Sequence, residues 1–266
     1  MQKDSANIKS LDTAIDIVEF LYKNGKSMSI NEISKGLGLY KSTVHRMLNT
    51  MKRRGYIHQN EDDLRYSIGS RFYSIGLLLT DQLAIFDMLQ PHAWKLSEKY
   101  KECVHISVPD FMAEDCPKQI SVLKANAGSN VLSATPPLGI PSRAHCSASG
   151  KCLMAYAGDD YLNRYRGCEL KKFTNKTITD WTLMEQELSE IRRNGYALDL
   201  GELEEGLMCI AIPMMNFKGE IIAAVSMIGS ALRLEKYNTG DIVKDLYDMI
   251  GQVEAYAKPT VSYRDL

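Results

Sequence analysis

The chain has 266 residues, 45% hydrophobic and 24% charged, which excludes a disordered or fibrous protein and allows one large domain or two ordinary ones. Its 32 Lys and Arg against 33 Asp and Glu give a formal net charge of −1, an average that argues against a generic polyanion binder. That average conceals a split, with 12 basic and 8 acidic side chains in residues 1–80 (net +4) and 20 and 25 in the remainder (net −5); a basic front on an acidic body fits a nucleic-acid module joined to a ligand or partner module.

In chain order, Ile8, Leu11, Ile15, Val18 and Leu21 recur at spacings of three and four, so residues 7–23 read as an amphipathic helix stopped by Asn24-Gly25. Ser29-Ile30-Asn31-Glu32 is a capping box. It opens a short helix over about 29–35 that ends at Gly36, and Leu37-Gly38-Leu39 makes a tight turn. A third helix runs from about Lys41 to Arg54, with Val44, Met47, Leu48 and Met51 inward and Gly55 past its end. Two short helices about a Gly-bearing turn form a helix-turn-helix pattern. The third helix exposes Lys41, Ser42, Thr43, His45 and Arg46 early, and Lys52, Arg53 and Arg54 late. Short hydroxyls and an Arg near a helix start suit base edges in a major groove, and a terminal basic cluster suits phosphates. Tyr56–Gln59 and Arg65–Ile68 flank a polar turn as a hairpin wing, with Arg65 a candidate contact and the acidic turn Glu61-Asp62-Asp63 a poor match to phosphate. The alternative is a small interaction domain whose basic residues are merely solvated.

Residues 70–89 carry a further apolar stripe, and Pro91 is expected to open another helix through Tyr100. The stripe fits a connector helix packing either on a second copy or on the rest of its own chain; dimerisation would set two reading helices about one duplex turn apart. Strands are expected at Cys103–Val108, Gln119–Lys124 and Val131–Ala134, then a Gly/Pro/Ser-rich stretch and a helix from near Ser147. A helix over Trp181–Arg193, strands at Tyr196–Asp199, Met208–Met214 and Ile221–Ile228, a turn at Phe217–Glu220 and a helix over about Lys236–Ala257 complete the pattern. Antiparallel strands with helices on their faces make an α+β layer.

No apolar run reaches the roughly 18 to 20 residues of a membrane helix, and the N-terminus lacks a signal-peptide core. Cys103, Cys116, Cys146, Cys152, Cys168 and Cys209 show neither Cys-x-x-Cys nor zinc-finger spacing. Reduced thiols in a cytoplasmic protein are the expectation.

Residues 7–70 resemble the winged helix-turn-helix of the IclR-type bacterial transcriptional regulators. Two later stretches carry the rest of the resemblance: Gly139-Ile140-Pro141-Ser142-Arg143-Ala144-His145-Cys146-Ser147-Ala148-Ser149-Gly150-Lys151, and Asp199 through Pro213 continuing into Gly219–Gly229. The resemblance implies a winged helix-turn-helix domain over 1–70, a linker helix over 71–90, and a GAF-like effector-binding and oligomerisation domain over 91–266. Double-stranded operator DNA, a small anionic effector and a homodimer or homotetramer are the implied partners, with no membrane, cofactor, metal or catalytic residues. By position Asp199, Cys209 and Ser226 match the family's effector pocket, and Gly139 and Ile140 lie in the matching loop. The chain departs from many members at Arg143-Ala144, where they have Pro-Leu or Pro-Met, and at Ile228, where they have a second serine. That second change removes a polar group, so the ligand is expected to differ from the simplest keto acids.

Ser147 and the helix start behind it offer backbone N–H groups to an anion, with Lys151 a turn further on; plain N-capping with close helix packing is the alternative. Asp199 would accept hydrogen bonds from effector hydroxyls, favouring a hydroxylated acid such as a sugar acid. Cys209 reads as a pocket-wall thiol or a redox-sensitive one. Two rival classes remain: an enzyme with a Cys146-His145-Asp199 site, disfavoured because adjacent side chains point apart, and a metal sensor using Cys146, Cys152 and His145.

Overall fold

A computed structural model describes residues 8–80, 84–111, 113–127, 137–216 and 218–254. The chain divides into two compact units, Met1–Gln82 and Leu83–Leu266.

In the first unit α1 (Lys9–Asn24), α2 (Ile30–Leu37) and α3 (Lys41–Arg53) precede a two-stranded antiparallel wing, β1 (Ile57–Gln59) and β2 (Tyr66–Ile68), and then α4 (Arg71–Thr80). Both halves of the capping box form, the Ser29 hydroxyl accepting from the Glu32 N–H and the Glu32 carboxylate from the Ser29 N–H. Ile17, Leu21, Ile33, Val44, Leu48, Ile57 and Tyr66 close a small core. Only the C-terminal part of the apolar stripe of α1, Val18 and Leu21, reaches the core. Ile17 and Leu21 are buried, whereas Ile8, Leu11 and Ile15 are 65%, 56% and 48% exposed. Periodicity identifies an amphipathic helix, but a helix with apolar residues on two sides has to be oriented by its neighbours.

The second unit is one six-stranded sheet in the order β5-β4-β3-β8-β7-β6, antiparallel throughout. Its strands are β3 (Cys103–Asp110), β4 (Lys118–Ala125), β5 (Pro141–Arg143), β6 (Ala197–Asp199), β7 (Leu207–Met215) and β8 (Ile221–Ser230). The helices α5 (Ala84–Tyr100) and α10 (Thr239–Glu254) pack with one core cluster, and α6 (Ala148–Tyr156) and α8 (Trp181–Asn194) with another. With helices over both faces, β3, β7 and β8 are buried along nearly their whole length, and β7 and β8 read as near-continuous apolar runs. Two helices, α7 (Asp159–Tyr165) and α9 (Ala231–Leu234), are too short for a periodic signal. The edge strand β5 lies in the stretch that composition marks as a loop.

Pro91 does not open a helix; it sits inside α5. An interior proline forfeits a hydrogen bond to the carbonyl four residues back. Here Ile85, Leu89, Ala93, Leu96 and Tyr100 form one buried stripe through that point, and burial outweighs the lost bond. The expected strand Val131–Ala134 lies outside the described residues. Among those residues no helix is long and apolar enough to cross a membrane.

Candidate functional site

The first candidate surface is α3. Lys41, Ser42, His45, Arg46, Lys52, Arg53 and Arg54 are exposed and Thr43 is half-buried, while Val44 and Leu48 anchor the opposite side in the core. Positions 42, 45, 46, 49 and 53 share one face by helical spacing, so Asn49, which bonds the His45 ring at 3.2 Å, joins the set that sequence reasoning names. Tyr40, the residue before the helix, is 84% exposed; its aromatic type at a helix start is a signal that sequence reasoning missed.

The wing is tied to the rest of the unit by the Met28–Tyr66 backbone bridge and by side-chain links from Lys52 and Arg65. Lys52 Nζ donates to Gln59 Oε1 at 2.7 Å. Arg65 donates through Nε to the Ser27 carbonyl at 3.0 Å and through a terminal nitrogen to Glu32 at 2.7 and 2.9 Å. The structure thus gives Arg65, the candidate wing contact, partners in Ser27 and in Glu32 of α2, which engage its Nε and one terminal nitrogen. The Ser29 N–H and hydroxyl, then Arg65, hold the Glu32 carboxyl down at about 2, so it stays ionised as that partner. The turn at 61–63 folds over Asn60, whose Oδ1 accepts the Asp62 N–H at 2.8 Å.

The second candidate is a cavity of about 260 Å³ within the C-terminal unit, between the sheet and the start of α6. Every strand of the sheet contributes: Ser142 from β5, Gln119 and Ser121 from β4, His105 and Ser107 from β3, Ser226 and Ile228 from β8, Leu207 and Cys209 from β7, and Asp199 from β6. Arg143, Cys146, Ser147, Ser149, Phe173 and Leu203 complete the lining. Of the residues expected there, Ser147, Asp199, Cys209 and Ser226 line it, but Gly139 and Ile140 do not. Gly139 is exposed, its N–H donating to the Ser121 carbonyl at 2.8 Å, so that loop braces β4 from outside. Ile228 supplies an apolar wall where many family members carry serine.

The polar lining residues are mostly committed. Ser147 Oγ caps α6 by accepting the Gly150 N–H at 3.1 Å, and it also accepts from Gln119 Nε2 at 2.8 Å. Asp199 Oδ1 accepts the Glu202 and Gly201 N–H groups at 2.6 and 3.0 Å; burial raises its carboxyl pKa and those two donors oppose the rise. Burial pushes His105 down to about 4, with the Lys124 charge adding to it, so its imidazole is neutral near pH 7. Burial, reinforced by the Asp199 charge, pushes the Cys146 and Cys209 thiols up to about 12. Protonated buried thiols are poor nucleophiles and poor redox sensors, so Cys209 is a wall residue.

Lys151 points away from this cavity. Buried, it pairs with Glu202 and with Glu187 on α8, the latter at 2.7 Å. Burial alone would lower its pKa, but the two facing carboxylates hold it protonated. Its charge is already matched, so it no longer argues for an anionic effector. Burial pushes Glu202 up to about 7 despite Lys151. His145 is buried and hydrogen-bonds the Lys171 carbonyl through Nε2 at 2.9 Å, which leaves it tied to backbone instead of activating Cys146. Among the described residues no three His, Cys, Asp or Glu side chains are placed to hold a metal ion.

Residues 78–255 match the family described as bacterial transcriptional regulator IclR C-terminal, and residues 10–61 match the IclR helix-turn-helix domain. The regulator BhcR of Paracoccus denitrificans is 30% identical over 87% of this chain and 81% of its own length. The regulator KdgR of Escherichia coli is 27% identical over 96% and 95%. Among solved structures, the Thermotoga maritima IclR protein shares 26% identity at a TM-score of 0.70, covering 92% of this chain and 98% of its own. A Microbacterium hydrocarbonoxydans IclR homologue solved with 4-hydroxybenzoate has a TM-score of 0.79 at 20% identity, covering 92% and 98%.

Proposed function

The chain belongs to the IclR family of bacterial transcriptional regulators, DNA-binding proteins that act without catalysis, and from that premise we propose how it reads DNA and what governs it. The helix α3 enters the major groove of a pseudo-palindromic operator, with Ser42, Thr43, His45 and Arg46 at base edges. Lys41, Arg53 and Arg54 lie near phosphates, joined by Lys52 while it braces the wing. Arg65 is left out of this set, since it holds the wing on Glu32 and Ser27. At a net of +4 one reading head makes few phosphate contacts, so firm binding needs two heads and the active species is a homodimer or homotetramer. The exposed stripe Ile8, Leu11 and Ile15 on α1 supports a second copy as its cover, because its spacing of three and four continues through Val18 to Tyr22 as in a helix–helix seam.

The effector is an organic or sugar acid bound in the C-terminal cavity. The observation that carries this is a cavity whose wall includes Arg143, a buried Asp199 and several serines. At about 260 Å³ the cavity holds the volume of about nine waters, matching an acid of about ten heavy atoms such as a five-carbon sugar acid or a hydroxybenzoate. Arg143 and the N-terminal turn of α6 supply the positive end for the carboxylate, and Asp199 takes hydroxyls. Binding shifts operator affinity by favouring one arrangement of the reading heads. The test is to select binding sites from random duplexes, screen small acids for a rise in Tm, and measure operator affinity with each stabilising acid. An acid that stabilises the protein and changes operator affinity is the expected result; acids that stabilise it and leave affinity unchanged refute the reading.

A further inference from the structure

Among the described residues, five buried side-chain polar atoms lack a hydrogen-bond partner: His105 Nε2, Gln119 Oε1, Ser142 Oγ, His145 Nδ1 and Glu202 Oε2. Three of them belong to residues lining the effector cavity on its β3–β4–β5 side. Gln119 on β4 is the direct cross-strand partner of Ser142 on β5. Ser121, two residues along β4 from Gln119, lies 3.4 Å from His105 Nδ1 on β3. His105 and Gln119 are 4% and 3% exposed. Buried donors and acceptors are ordinarily paired, and three lining one cavity are offered to whatever fills it.

We propose that Gln119, His105 and Ser142 form a hydroxyl-recognition subsite, so that the effector is a hydroxy acid with a hydroxyl reaching the β3–β4–β5 side. This rests on the acid-binding reading above and deepens it. Gln119 Nε2 is committed to Ser147, so its free Oε1 can only accept. A ketone, ether, carboxylate or methyl group offers no proton to it. Neutral His105, its Nδ1 3.4 Å from the Ser121 hydroxyl, donates or accepts at Nε2 according to which ring nitrogen carries the hydrogen. A hydroxyl, donor and acceptor at once, can give its proton to Gln119 and can answer His105 in either tautomer. Ser142, able to do either, completes the set. These residues lie three strands and more from Asp199 in sheet order, so this side recognises a different part of the ligand.

Sites built to bond a hydroxyl reject the analogue that lacks it far more strongly than apolar pockets reject an extra group. The test titrates the full-length chain by calorimetry with matched acids: D-gluconate against hexanoate, D-xylonate against pentanoate, and 4-hydroxybenzoate against benzoate. The best hydroxylated acid should bind about 100-fold or more tightly than its unhydroxylated partner. Gln119→Leu should cut that ratio to about tenfold or less, with most of the change falling on the hydroxylated acid. Ser142→Ala, a milder change, should lower the ratio by a smaller factor if Gln119→Leu fails to fold. Preference for the unhydroxylated acids, or a ratio that survives both substitutions, overturns the proposal while the acid-binding reading stands. Binding of neither kind of acid overturns both.

Discussion

Replacing Gly150 with alanine sets helix propensity against packing, and the two predict opposite signs. Gly150 lies in the first turn of α6, where alanine is intrinsically better by about 1 kcal/mol. A Cβ there would stand 2.6 Å from the carbonyl carbon of Ala144 and closer still to its oxygen and Cα. Carbon atoms rest at about 3.5–4.0 Å, so α6 must back off by about 1 Å. The obstacle is backbone, and all but the last residue of α6 is buried, so neither side yields by rotating a side chain. Overpacking of this kind costs about 1–3 kcal/mol; near the top of that range it leaves a net loss of about 2 kcal/mol, or roughly 4–8 °C in Tm for a domain of this size. The retreat also moves Ser147 off Gln119, loosening the cavity. Both tryptophans, Trp94 and Trp181, lie in the C-terminal unit. Urea unfolding followed by intrinsic fluorescence therefore reports that unit without interference from the reading head. An alanine variant as stable as the wild type would refute the packing argument.

Arg46→Ala should cost about 1–3 kcal/mol on the preferred operator and relax its sequence preference, whereas Arg53→Ala, the loss of a phosphate contact, should weaken all sequences alike and reduce the salt slope by about one; equal losses on every sequence for both variants would remove α3 from base reading. Arg65→Ala should speed amide exchange across residues 57–68, since the wing loses Glu32 and Ser27, with operator preference unchanged; a changed preference would return Arg65 to the DNA. For pH, His105 is depressed from 6.5 to about 4, so its neutral form contributes stability present above pH 6.5 and lost as pH falls toward 4, up to about 3 kcal/mol. Glu202, raised from 4.5 to about 7, works the other way, its stability complete below pH 4.5 and lost as pH rises through 7. The two oppose each other in the wild type, and in His105→Gln only the second remains. The gap in unfolding free energy between wild type and His105→Gln should therefore narrow on acidification from pH 6.5 to 4, and parallel curves would refute the neutral buried imidazole.

Most of the elements, and the division of labour between them, are legible in the order of residues. The capping box at Ser29, the Gly-bearing turn before α3 and the alternation around the wing are local signals, set by hydrogen bonds and backbone preferences within a few residues, and they survive in the fold. The long apolar runs of β7 and β8 likewise announce strands buried on both faces. Packing settled which of two apolar sides of α1 faces inward, that α5 runs through Pro91, that Arg65 turns to Glu32, and that Lys151 serves an ion cluster and not the cavity. It also brought His105, Gln119 and Ser142 together from three strands. Each of those outcomes depends on what stands opposite a side chain across the fold, a neighbour that sequence spacing does not identify. The charge split between a basic front and an acidic body is plain in composition. The unmet hydrogen-bonding groups that give the acidic body its chemistry became visible only when the sheet assembled them around one cavity.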